Sequence, residues 1–220
     1  MQQPDKDRIL GLLIGKMPVR EFESWLFKDL ELESRIGSDM YFDLIDIDYR
    51  DSNSSCIVSQ TLMGKHIDPV ELKDFKYHKV LEQAGWYHGR KTEQTVTSKK
   101  LTPELKNARD ILTEFGGLEL ISPYKCDYWT PRNICFPETI ERLSHGVKYG
   151  LDKPLICFAH IDDFNSALYI DDENNYYLLD DIANIDLFRF KGNELSTLLQ
   201  NLMGLDEQGN FELTGSSNRK

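Results

Sequence analysis

The sequence has no apolar run near the roughly 18 to 20 residues that a membrane-crossing helix requires. Its longest candidate, Ile9–Ile14, is short and holds Gly11 inside it. Cysteine is sparse: Cys56, Cys126, Cys135 and Cys157 are scattered, and none forms a C-x-x-C pair. At that density reduced thiols are expected rather than a disulfide framework. The start of the chain mixes Asp5, Lys6, Asp7 and Arg8 and lacks a long apolar stretch, so no secretory leader is expected. These absences lead to the expectation of a cytoplasmic protein without membrane contact. Basic charge is also in short supply. Lys and Arg total 26 against 37 Asp and Glu, a net of −11, and such a field repels nucleic acid.

Hydrophobic residues make up 40% of the 220, with 3 Trp, 10 Tyr and 11 Phe, enough to fill a core. The charge is uneven. Residues 1–78 carry 10 basic and 15 acidic side chains, residues 79–145 carry 10 and 9, and residues 146–220 carry 6 and 13. An acidic final third is either a solvated surface or a face that attracts a basic partner.

Periodicity divides the chain. Phe22, Trp25, Leu26 and Leu30 have helical spacing, which predicts a helix over 20–34 stopped by Gly37. A second helix is expected from Asp39, and Cys56–Met63 reads as a strand or extended connection. Asp68-Pro69-Val70-Glu71 is a helix start, an acid at the cap and proline in the first turn, and the helix should run to Ala84 and stop at Gly85. Thr102-Pro103 opens another, with Leu105, Ala108, Ile111, Leu112 and Phe115 on one face and Gly116 as a left-handed cap. Leu118–Ile121 reads as a strand, Ser122–Phe136 as loop and Pro137–Leu143 as helix. From Pro154 the period becomes two. Leu155–Phe158, Ser166–Ile170 and Tyr176–Leu179 are expected strands, with a tight turn at Asp172-Glu173-Asn174-Asn175. Asn193 is expected to cap a last helix ended by Gly204. The fold class is α+β: an antiparallel sheet flanked by helices, with a small, mainly helical N-terminal segment. The expected domains are a 1–67 module, a 68–204 main domain and a flexible tail at 205–220.

Chemistry-bearing patterns are scarce. The histidines, His66, His78, His88, His145 and His160, show neither H-x-x-x-H nor H-E-x-x-H, and no cysteine pair has zinc spacing. The acids at 171–173 resemble part of a calcium loop but lack its central glycine and distal Glu, and a hairpin turn explains them. Cys157 and His160 lie three apart on an expected strand, so they should face opposite sides. No G-x-S-x-G elbow or phosphate loop occurs. The expectation is a protein with no enzymatic activity, cofactor or metal.

One segment stands out: Ala84-Gly85-Trp86-Tyr87-His88-Gly89-Arg90, a helix stop, an aromatic pair, a turn glycine and a fork-shaped cation. Trp86 suits a core plug and Arg90 a structural partner. Gly85-Trp86-x-x-Gly89-Arg90, followed by a helix ending Phe115-Gly116-Gly117-Leu118 and then paired strands, resembles the SUKH superfamily of bacterial immunity proteins, most nearly its third family. The resemblance spans about residues 76–204. His88 departs from it, since many relatives have proline there. The segment from Glu21-Phe22-Glu23-x-Trp25 to Asp48-Tyr49 is similar to a short module at the front of other immunity-type proteins.

The resemblance implies a protein that binds and neutralises a cognate toxin, commonly a nuclease, by stoichiometric occlusion in the cytoplasm. Its partner would be a basic toxin. The expected contact residues, from the charge partition, are Asp162, Asp163, Asp171, Asp172 and Glu173. A regulatory module that binds a protein or peptide is the alternative.

Overall fold

The computed structural model describes residues 1–51, 53–93, 95–96, 102–123, 133–140, 151, 153–162, 166–180, 185–205 and 211–217. Its chain divides into two compact units, Met1–Lys76 and Tyr77–Lys220. The division falls within a helix, beyond the boundary expected at residue 67.

The first unit is helical. It holds α1 (Gln3–Leu13), α2 (Val19–Lys28), α3 (Leu32–Ile36), α4 (Ser38–Ile45) and α5 (Ser54–Leu62), and α6 (Pro69–Gln83) begins in it. Ile9, Phe22, Leu26, Leu32, Leu44, Val58 and Leu62 make its core, all essentially without solvent exposure. Two expectations are corrected here. The segment at 54–62 is helix, not strand: Ser54, Val58 and Leu62 recur every four residues and are the ones buried. The helix expected over 20–34 breaks at 29–31, and Leu30 leaves the core face. Asp29 is extended there; its carboxylate accepts the Glu31 N–H at 3.2 Å and the Arg35 guanidinium. Arg35 also grips buried Asp5 with two bonds of 2.9 and 3.2 Å. That fork offers the chain a better partner than one more helical turn. Elsewhere Asp43 takes Lys65 and His66 Nε2, the latter at 2.6 Å, tying α4 to the connection between α5 and α6.

The second unit is α+β. Beyond the end of α6 it contains β1 (Thr95–Val96), α7 (Pro103–Phe115), β2 (Glu119–Ile121), β3 (Asn133–Cys135), β4 (Thr139–Ile140), β5 (Ile156–Ile161), β6 (Ser166–Ile170), β7 (Tyr176–Asp180), β8 (Ile185–Phe190), α8 (Leu195–Leu202) and β9 (Phe211–Ser217). Seven strands form one antiparallel sheet in the order β2-β3-β5-β6-β7-β8-β9, and β1 pairs in parallel with β4. Leu105, Ala108, Leu112 and Phe115 of α7 and Leu198, Leu199 and Leu202 of α8 cover one sheet face. The opposite face carries Leu155, Cys157, Tyr169, Tyr177 and Leu187.

The strands expected at 155–158, 166–170 and 176–179 are present as β5, β6 and β7. Residues 133–135, expected as loop, are a strand paired with β2 and β5, and Thr139–Ile140, expected as helix, is extended. Residues 124–132 and 141–143 of those two expected segments lie outside the described residues. Glu194, not Asn193, occupies the cap position of α8. The tail expected to be flexible contains β9, whose Phe211 ring lies 5.4 Å from Phe190. An apolar ring and a free strand edge on β8 are reasons for the chain to return.

Candidate functional site

The residues that carry the resemblance meet at the end of α7. Gly85 (φ 90°) and Gly89 (φ 79°) flank Trp86–His88, both in the left-handed region where a side chain is strained. The Trp86 indole N–H donates to Glu114 Oε1 at 3.0 Å, and its half-buried ring packs on the core. Arg90 donates to the carbonyls of Glu114 and Gly116, the latter at 2.8 Å. Thr92 adds its N–H to the Thr113 carbonyl at 2.8 Å and its hydroxyl to that of Leu112 at 2.9 Å. The last carbonyls of a helix lack intrahelical partners. Here a segment twenty or more residues earlier supplies them. Gly116 is not the left-handed cap that was expected (φ −52°); Gly117 is (φ +75°), and a Cβ on it would meet Glu138 Cγ at 3.4 Å. Gly117 N–H then bonds the Phe136 carbonyl at 2.8 Å, and Phe136 stacks 5.2 Å from Phe115. Gly85, Trp86, Gly89, Arg90, Phe115, Gly116 and Gly117 thus form one structural joint.

The β6–β7 turn is built around Asp171, whose side chain has no solvent exposure. Its carboxylate accepts the N–H groups of Glu173 (2.8 Å) and Asn175 (2.9 Å), the Asn175 amide (2.8 Å) and the Tyr177 hydroxyl (3.0 Å). Burial pushes that carboxyl up, but the donors from Asn175, Glu173 and Tyr177 together outweigh it and hold it below the usual range. Burial, then the Asp171 charge, pushes the Tyr177 hydroxyl up to about 12. Asn174 adopts φ +63° to close the turn. Asp171 therefore cannot present itself to a partner, contrary to the expectation. Asp172 and Glu173 are exposed. Lys153 Nζ sits 2.6 Å from Glu173, 3.7 Å from Asp171 and 3.8 Å from Asp172, so three carboxylates share one ammonium. Glu173 is held below its ordinary range by the Lys153 bond, and Lys153 is raised by the same bond.

Helix α7 links turn and joint. The Asn107 amide donates to the carbonyls of Asp171 (3.0 Å) and Asp172 (3.3 Å), while Glu114 receives Trp86. Between them runs a groove of about 330 Å³, with Ile111 and Leu195 on its shoulders and Asp110 and Glu114 on its wall. Sequence reading missed it, because α7 contributes one side and Ile170, Asn174, Tyr176 and Leu195, far along the chain, the other.

The other expected residues lie elsewhere. Asp162 is half-exposed at φ +46°, its N–H on the Asn133 carbonyl at 3.0 Å, and Asp163 lies outside the described residues. Cys157 and His160 do share a face, contrary to the alternation argument. A bulge between Cys157 and Ala159 inserts one residue, and Sγ lies 3.9 Å from Nε2. At 4% exposure Cys157 is out of a substrate's reach. Among the described residues no helix is long and apolar enough to cross a membrane. Comparison of the chain with family models, curated proteins and solved structures finds no match.

Proposed function

We propose that this chain is an intracellular immunity-type protein that binds a basic cognate toxin, such as a nuclease, and blocks it by occlusion. The observation that carries the reading is the β6–β7 turn. A buried carboxylate with four donors fixes its backbone, and Asp172 and Glu173 project from it, offset in part by Lys153 on Glu173 and by Arg189 on the Asn175 side chain. A rigid acidic projection steers a basic protein toward one face and loses little freedom on binding. The groove beside it offers apolar shoulders for an anchoring side chain once the charges have met. The joining of the Gly85–Arg90 and Phe115–Gly117 pieces through Arg90 is consistent with the resemblance they carry.

The test is association with the toxin encoded beside this chain's gene. Charge reversal of Asp172 and Glu173 together should slow association about tenfold at low salt, with the gap closing as salt rises. An association rate that ignores both reversal and salt removes the electrostatic face. Absence of any complex with that toxin removes the immunity reading and favours a regulatory binding module.

A further inference from the structure

Leu30 is 96% exposed, far beyond any other large apolar side chain among the described residues. Phe27, three residues earlier, is 54% exposed. A solvated leucine on a floppy loop would mean little, but this one stands on a clamped link. Asp29 is held by the Glu31 N–H and the Arg35 guanidinium, and Arg35 is itself anchored on buried Asp5. The apolar knob is therefore presented in a fixed direction.

Beside the knob lies an open groove of about 680 Å³ along α2. The Trp25 ring forms part of its wall, with the Arg8 guanidinium 5.7 Å above the ring centroid. The charges on its rim balance. Arg8 and Lys28 stand against Glu21 and Glu31, while Asp29 is already committed to Arg35. The patch is thus near neutral in a chain of net charge −11. It cannot steer a basic partner, but it is where two copies can meet without the repulsion that the rest of their surfaces impose. An isologous interface must also be self-complementary, so a knob needs its hole in the same patch and a charge of either sign needs its opposite there. This patch holds all four.

We propose that the α2–α3 link is a self-association face, on which Leu30 of each copy seats in the groove beside Trp25 of the other about a two-fold axis. The exposed Leu30 leaves folding untouched when replaced, so the test is clean. Sedimentation velocity of the full chain, from low to high micromolar concentration, should show a monomer–dimer equilibrium. Leu30→Asp should weaken the dimer about thirtyfold or more while leaving the circular dichroism and melting temperature as in wild type. Leu30→Met should retain it. Arg8→Glu, which unbalances the rim, should weaken it as well. The proposal is overturned if wild type sediments as a monomer throughout, or if it dimerises and Leu30→Asp dimerises equally well. Neither result touches the toxin-binding reading, which rests on the other unit.

Discussion

Asp171 is a carboxylate without solvent contact that is nevertheless ionised more readily than usual, because each lone-pair direction meets a donor. Asp171→Asn replaces an acceptor with a donor facing Asn175 and Tyr177, and should cost about 2 to 4 kcal/mol at neutral pH. The pH dependence has a definite sign. The folded value lies below the unfolded one, so the contribution is complete above about pH 4 and is lost as pH falls through the lowered folded value. Asp29, Asp43 and Glu173 are lowered too, but they titrate in both proteins. The stability gap between wild type and Asp171→Asn, measured by urea unfolding, should therefore narrow below about pH 4. A gap that stays constant to strong acid would mean that Asp171 does not carry its charge in the fold. At this scale the sequence was partly legible. Asp-Asp-Glu-Asn-Asn announces a turn, but not which acid faces inward, since that is decided by Tyr177 and Asn175 closing on the first carboxylate.

Helix α7 was the most legible element, and its ending shows what periodicity leaves out. The apolar face and the opening at Thr102-Pro103 are local properties, whereas the cap comes from Arg90 and Thr92 across the fold. Arg90→Ala should cost about 2 to 3 kcal/mol and Arg90→Lys less, because a lysine reaches one carbonyl where the fork reaches two. Trp86→Ala should cost about 3 kcal/mol. Denaturant unfolding checks all three. Variants that melt as wild type but lose their partner would mark these as contact residues instead. The failures among elements have a common cause. Ser54–Leu62 mixes β-branched and small residues that local propensity cannot assign, and burial of Val58 and Leu62 in the helical unit decides for helix. The strand β9 has little to bury on its own and is defined by the edge of β8. Helix α1 went unread because its apolar positions are few and its start is charged.

At the scale of the molecule, each of the two large cores draws on one unit only. One is made of residues up to Phe75, the other of residues from Tyr77 onward. A fragment from Asp68 to Lys220 retains the α6 start, where Asp68 Oδ1 accepts the Val70 N–H at 2.9 Å, together with the whole sheet. It should fold and melt cooperatively by itself, seen by near-ultraviolet circular dichroism and a sigmoidal thermal transition. A fragment lacking near-ultraviolet signal would show that the sheet unit depends on the helical one. The α+β class was legible because the period changes from helical to two near Pro154, and that change survives any error of boundary. The groove along α7 was not, since nothing local relates Ile111 to Leu195. Charge partition singled out the last third of the chain and overcounted its available acids, because Asp171 is spent internally and Lys153 is drawn into the acidic turn.

The bulge in β5 has a further consequence, for insertions and deletions. Along most of the sheet, losing one residue exchanges the two faces for everything beyond the gap and turns core side chains to the other side. In β5, Phe158 and Ala159 both point into the same core, where one residue would do. Removing Ala159 restores plain alternation with Ile156, Phe158 and Ile161 still inward and Cys157 and His160 still outward. Ala159 is also small, so the core loses little volume with it. This sheet can change length by one at that point and keep its faces.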